Sequence, residues 1–266
     1  PISYAYVEAS GRVVLRRKGV TQLLAERGSQ LSVSHDGNRV LFTREEGGLT
    51  AIWMYDAVTK QKTEWLRGGV QRAFWSPDDM RVAFLKPSGS GWQVWIAPAG
   101  EPGQATQAYA GDVTSLDGWV DEHAVLASDA NNFYWIGDAG GVTATLAARD
   151  LYGDQYGRPA MDDVRVNPAN SDILLVSAAI LKPAPGMPTE PRTGLGAGFF
   201  YYEVKSKRRV LLSPPDLFAT SAGWSRDGIQ IFYTSRETRG TVVERVFWDG
   251  SEVKRYAAGS DLVVGQ

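Results

Sequence analysis

Short apolar runs separated by polar turns recur along the whole chain, and no stretch keeps the 3.6-residue spacing of an amphipathic helix. The clearest copy reads Phe74-Trp75-Ser76-Pro77-Asp78-Asp79-Met80-Arg81-Val82-Ala83-Phe84. Close counterparts run from Val33 to Phe42 and from Gly223 to Phe232, and weaker ones from Gly118 to Leu126 and from Val166 to Leu175. Each predicts a strand (a) entering a tight turn, where Asp or Asn bonds its own backbone and Gly accepts positive φ. The strand that leaves (b), such as Arg81 to Leu85, is apolar at successive positions, which predicts burial on both faces. A third strand (c) carries large aromatics, as in Ile52-Trp53-Met54-Tyr55, Val94-Trp95-Ile96 and Val246-Phe247-Trp248. A shorter, more polar fourth strand (d), such as Thr63 to Leu66, suits an outer edge.

Asp36 and Asp78 are 42 residues apart, as are Trp53 and Trp95. A period near forty built from β-segments predicts propeller blades. The fold class is therefore all-β, a six-bladed β-propeller of four-stranded antiparallel blades. Residues 1–266 read as one domain, with blades at about 1–28 plus 260–266, 29–69, 70–111, 112–150, 159–215 and 216–259. The first blade lacks an a strand, and Ser260 to Gly265 can supply it, so the C-terminal strand closes the ring and removes a free edge.

Composition narrows the partners. Lys and Arg number 28 against 30 Asp and Glu, which leaves no broad field to attract nucleic acid. No apolar run is long enough for membrane insertion. Cysteine is absent, which excludes disulfides and thiolate chemistry. The start at Pro1 leaves open a removed signal or preceding domain.

The repeat resembles the TolB-type six-bladed propeller: the aromatic-Ser-Pro-Asp turn at Trp75 to Asp78, the Arg-apolar-Ala-Phe strand at Arg81 to Phe84 and the aromatic third strand all match it. The resemblance implies a periplasmic or secreted bacterial scaffold, since TolB binds a peptidoglycan-associated lipoprotein of the cell envelope. Similar repeats also form accessory domains of serine peptidases, but this chain contains no Gly-x-Ser-x-Gly elbow.

The candidate chemistry is sparse. His35 and His123 are the only histidines, both fall in turns, and the repeat suggests no acid, base or ligand partner for either. Asp36, Asp78, Asp121 and Asp227 occupy equivalent positions and are expected to cap their own turns rather than gather round a metal. The nine tryptophans recur on strands a and c, where packing between blades accounts for them better than sugar stacking does. No catalytic residue, metal site or cofactor is assigned, a calcium ion in the channel being left open.

Departures from the repeat point to binding. A Pro/Gly-rich stretch from Lys182 to Gly198 separates strands b and c of blade five, and a second extension, Asp150 to Pro159, joins blade four to blade five. In alternating strands the b-to-c and d-to-a connections leave by the same face, so the two extensions are expected to meet. Long loops on a rigid scaffold favour recognition. The expected binding residues are Tyr152, Asp154, Tyr156, Arg158, Glu190 and Arg192, the tyrosines as aromatic anchors and the arginines as donors. The leading reading is a non-catalytic, monomeric scaffold that binds a protein or peptide at this face. The alternatives are a carbohydrate-binding or catalytic propeller with a channel-mouth site, or the accessory propeller of a larger hydrolase.

Overall fold

The computed structural model describes residues 3–159, 163–182, 196–213 and 218–265. The chain divides into two compact units, Pro1–Thr145 with Asp261–Gln266, and Leu146–Ser260.

The first unit carries four antiparallel sheets. Strands β1 (Tyr4–Val7), β2 (Val13–Arg17) and β3 (Val20–Ala25) belong to blade one. Blade two holds β4 (Ser29–Val33), β5 (Arg39–Glu46), β6 (Leu49–Asp56) and β7 (Gln61–Leu66). Blade three holds β8 (Gln71–Trp75), β9 (Arg81–Pro87), β10 (Trp92–Pro98) and β11 (Thr106–Gln107). Blade four holds β12 (Ser115–Trp119), β13 (Ala124–Ser128), β14 (Asn132–Gly137) and β15 (Val142–Ala147).

The second unit takes in the last two residues of β15 and then a short helix, α1 (Ala148–Tyr152), followed by β16 (Tyr156–Gly157). Blade five continues through β17 (Asp163–Asn167), β18 (Asn170–Ile180), β19 (Ala197–Glu203) and β20 (Arg208–Leu211). Blade six is β21 (Ala219–Trp224), β22 (Gln230–Glu237), β23 (Gly240–Phe247) and β24 (Lys254–Ala258). The last strand, β25 (Ser260–Val264), lies beside β1 in the order β25-β1-β2-β3, so the C-terminal strand does complete blade one. Gly265 continues the contact by donating its N–H to the Ser3 carbonyl at 2.8 Å.

The apolar b strands pack as their patterning predicts. In β5, Val40 and Phe42 enter the cluster shared with blade one, while Leu41 enters the one shared with blade three. In β9, Val82 and Phe84 face blade two, and Ala83 and Leu85 face blade four. The core of the first unit is thus a series of layers between successive sheets, each fully buried Phe or Leu contributing about 1.5–3 kcal/mol. In the second unit Leu175, Phe199, Ile231, Tyr233 and Val246 form the equivalent layer.

The turns are built alike. Ser34 Oγ donates to Asp36 Oδ1 at 2.6 Å, Asn38 N–H donates to the same oxygen at 2.9 Å, and Arg39 N–H donates to Ser34 Oγ at 2.9 Å. Ser76, Asp78 and Arg81 repeat the arrangement, as do Ser225, Asp227 and Gln230. Asp121 accepts the His123 N–H at 2.7 Å, and Asn167 accepts the Ala169 N–H at 2.8 Å. All four repeat aspartates therefore cap their own turns.

In blades three, four and six a tryptophan that ends strand a ties the sheet to the one before it. Trp75 Nε1 donates to the Ser32 carbonyl at 3.2 Å, Trp119 Nε1 to the Phe74 carbonyl at 3.0 Å and Trp224 Nε1 to the Arg165 carbonyl at 3.2 Å. In each case the acceptor lies two residues before the turn Ser or Asn of the preceding blade. Guanidinium groups lie over the same indoles: Arg39 over Trp75 at 4.4 Å and Arg81 over Trp119 at 5.1 Å. Packing between blades is thus the role these three tryptophans fill.

Both histidines face a carboxylate, which the repeat does not suggest. His35 Nδ1 is 3.1 Å from Asp79 Oδ1, and His123 Nδ1 is 3.3 Å from Asp138 Oδ2. Asp79 stands where the equivalent turns have Gly37 and Gly228, and it shares their left-handed backbone, with φ of 60° against 71° for each glycine.

Candidate binding face

The two extensions of blade five meet through backbone hydrogen bonds. The 11-residue β18 is the longest strand described. Its lower part pairs with β17 in the usual way, but its last residues continue and pair with β16, Tyr156 opposite Ile180 and Gly157 opposite Ala179. Leu181 and Lys182 then donate their N–H groups to the Gln155 carbonyl at 2.8 and 3.2 Å. On its other side β18 pairs with the start of β19, Ala178 opposite Gly198 and Ala179 opposite Ala197. The described parts of both extensions therefore form a three-stranded ledge in the order β16-β18-β19. Blade two, by contrast, turns between β5 and β6 through Gly47 and Gly48 alone, both at positive φ.

One arginine holds the connection to blade five. Arg209, on β20, donates from Nε to the Leu151 carbonyl at 2.7 Å and from Nη2 to the Asp150 carbonyl, which satisfies carbonyls near the end of α1. Its guanidinium lies 5.5 Å from the ring of Tyr202, and a Cβ added at Gly153, whose φ of 61° turns the chain from α1 toward β16, would come within 3.3 Å of its Cζ. Sequence reasoning missed Arg209, because its partners are main-chain carbonyls 58 and 59 residues away.

The expected binding residues divide into three groups. Tyr152 and Tyr156 are buried, at 4% and 6% exposure, and so cannot serve as the exposed anchors the sequence suggested. Tyr156 stacks on Phe200 with centroids 4.4 Å apart, and Tyr152 meets the same ring edge-on at 6.5 Å. They form the floor of the ledge because Phe200, in the middle of β19, offers an apolar surface that a loop tyrosine can cover. Burial pushes the Tyr156 phenol above its ordinary pKa. Asp154 is exposed, paired with Lys182 Nζ at 2.7 Å, and that ammonium holds its carboxyl below the usual range. Arg158 is half-buried beside β16. Glu190 and Arg192 lie outside the described residues.

The surface left by this arrangement is mixed. Leu181 is 53% exposed at the end of β18, flanked by Lys182 and Asp154. Among the described residues no group of three or more acidic or histidine side chains is placed to hold a metal. No described helix is long and apolar enough to cross a membrane.

No protein-family model matches the chain, and no curated protein matches it. Solved structures do. The TolB protein of Acinetobacter baumannii superposes with a TM-score of 0.73 over 99% of this chain, at 11% identity. A putative TolB from Agrobacterium tumefaciens gives 0.69 over 99% of this chain and 96% of its own, at 13% identity. The fold is that of a TolB-type six-bladed β-propeller. The chain spans 66% of the length of the Acinetobacter TolB. A puromycin-hydrolysing peptidase from Mycobacterium tuberculosis is similar over 96% of this chain but only 44% of its own, with a TM-score of 0.56 and 18% identity. Folds similar to this one thus occur both over nearly the whole of a solved chain and over less than half of another.

Proposed function

We propose that this TolB-type propeller is a non-catalytic scaffold of the bacterial cell envelope that binds a protein or peptide partner at the ledge of blade five. The reading rests on one observation above the rest: the 150–159 extension and the start of the 182–198 extension are joined by β16–β18 pairing and by the Asp154–Lys182 ion pair. A ledge fixed in this way to a packed sheet presents its outer side chains with little further loss of entropy on binding. The binding residues are then Asp154, Arg158, Leu181 and Lys182 together with Glu190 and Arg192, while Tyr152 and Tyr156 support them from beneath. The likeness to TolB structures supports a scaffold role and a periplasmic setting.

A second reading, the accessory propeller of a larger hydrolase, is favoured by the partial coverage of the mycobacterial peptidase. A pull-down from envelope extract, with the extensions intact and with residues 182–198 replaced by a short Gly-Ser turn, separates the two. A partner captured only by the intact protein supports the scaffold reading, and equal capture by both proteins contradicts it.

A further inference from the structure

Blade one has an outer edge unlike those of most other blades. β3 is the last strand in the order β25-β1-β2-β3, so one of its sides has no strand beside it. Lys18 and Gly19 form a two-residue turn, with φ of 50° and 77°, and set Arg17 opposite Val20, Arg16 opposite Thr21 and Leu15 opposite Gln22. The residues that flank such a turn exchange both their main-chain bonds, and the alternation that follows turns Val20 and Gln22 toward β2. The N–H and C=O groups of Thr21 and Leu23 therefore point outward, and among the described residues neither has a backbone partner beyond the sheet. After Leu23 the register shifts, which ends the regular part of the edge.

Outer strands are ordinarily blunted by charge, proline or shortness. β7 carries Lys62 and Glu64, β20 Arg208 and Arg209, β24 Lys254 and Arg255, and β11 has two residues. β3 reads Val-Thr-Gln-Leu-Leu-Ala, without charge or proline, and its Val20 and Leu23 are 58% and 42% exposed. β15 is uncharged as well, but Val142 is its one exposed large apolar residue. The inward contacts of β3 are already made: Tyr55 of blade two donates to Gln22 Oε1 at 3.3 Å, and Leu24 and Ala25 enter the cluster shared by these two blades. What remains is a short run of outward main chain.

Such an edge is completed by another strand, and its own copy supplies one that fits. Around a two-fold axis through Gln22, Thr21 of each copy lies opposite Leu23 of the other, so every outward N–H of these residues meets an outward C=O. Both strands are already formed, whereas a loose peptide loses chain entropy in becoming extended. The strand itself carries no charge to repel its like. Lys18 precedes it and Glu26 and Arg27 follow it, so in antiparallel pairing neither end meets its own copy, and Arg16 stands one strand in, beside Thr21.

We propose that two copies of this chain pair antiparallel through β3 to form a reversible dimer. A contact of a few residues is small for a protein interface, so the dimer is weak and concentration-dependent. It takes the place of the monomer expected from the sequence. It involves the first unit alone and does not depend on the function proposed for the ledge.

Sedimentation equilibrium over a concentration series, with hydrogen exchange read at single amides, tests the proposal. The expected result is a monomer–dimer equilibrium in which the Thr21 and Leu23 amides gain protection as concentration rises, while those of Val20 and Gln22 do not change. Thr21→Pro removes an outward N–H and no bond to β2, and Leu23→Lys sets a charge on the edge. Each should weaken dimerisation at least tenfold without lowering the melting temperature. Gln22 falls in a non-hydrogen-bonded pair of the dimer, where Cα atoms stand about 4.5 Å apart, within the span of a disulfide. In a chain without cysteine, Gln22→Cys treated with oxidised glutathione should therefore give a linked dimer. Should the variants fail to fold, the exchange pattern of the parent decides alone. A monomer at every concentration, or a dimer whose Thr21 and Leu23 amides gain no protection, would overturn the proposal. So would undiminished dimerisation in both folded variants, or a folded Gln22→Cys protein that does not crosslink.

Discussion

Asp79 fastens the turn of blade three to that of blade two through His35, its Oδ1 lying 2.7 Å from the His35 backbone nitrogen and 3.1 Å from Nδ1. Its other oxygen accepts the Asp36 N–H at 2.9 Å, and its backbone carbonyl accepts from Arg39 Nη2 at 3.1 Å. A residue occupying the left-handed glycine position of its own turn thus serves as an acceptor for its neighbour.

Two effects compete when Asp79 becomes glycine. Relief of the left-handed conformation returns about 1 kcal/mol, whereas charge-assisted hydrogen bonds contribute about 1.5–3 kcal/mol each. The bonds outweigh the strain, so Asp79→Gly is expected to destabilise the protein by about 1–3 kcal/mol despite restoring the consensus turn. Denaturant melts check this, and a variant as stable as the parent would mean that the clasp contributes nothing.

The same carboxylate sets a pH dependence. Burial alone would raise the Asp79 pKa, but hydrogen bonds from the His35 ring and from the His35 and Asp36 N–H groups outweigh it and hold the pKa below the ordinary 3.8. Between those two values the unfolded chain binds more protons than the folded one. Its contribution is therefore complete above about pH 4 and is lost as pH falls through the lower, folded value. Melting curves from pH 6 to pH 2 should show a steeper loss for the parent than for Asp79→Asn, and parallel curves would contradict the assignment.

The indole ties differ in burial, and their removal should differ accordingly. Trp75 is 3% exposed, whereas Trp119 is half-buried. Replacing Trp75 by Phe leaves the buried Ser32 carbonyl without its donor and should cost about 2–3 kcal/mol, with a smaller loss for Trp119→Phe. Equal losses measured by urea denaturation would rule out this ordering.

Closure of blade one is testable at a single residue. A Cβ on Gly265 would lie 2.5 Å from Val33 Cγ1 and 2.9 Å from the Ser34 carbonyl oxygen. Gly265→Ala is expected to force β25 away from the blade-two turn at a cost of about 1–3 kcal/mol. Deleting residues 260–266 should do more, because it strips β1 of its partner and leaves an open edge. A truncated protein that melts and stays soluble like the parent would refute the closing role.

The elements that were legible in the sequence are those encoded locally. Ser, Asp and Gly within six residues define a turn, and the b strands announce their two buried faces because alternate residues meet different sheets. The aspartate caps follow from the same local logic. The clasp at Asp79 was hidden because its partners lie 43 and 44 residues upstream, in a turn whose own sequence is complete without it. Helix α1 has five residues, too few to show a period, and Arg209 bonds its last carbonyls from a distant strand. Tyr152 and Tyr156 read as surface anchors because they sit in a connection. Both rings meet Phe200 on β19, and the pairing of β16 with β18 is what sets Tyr156 beside it.

Calorimetry on the captured partner tests the binding role of the blade-five ledge most directly. The comparison is between the intact protein and the variant in which residues 182–198 are a short Gly-Ser turn. The variant is expected to keep its fold and to bind at least tenfold more weakly, a loss of about 1.4 kcal/mol or more. Undiminished affinity in a properly folded variant would contradict it and place the binding surface elsewhere on the propeller.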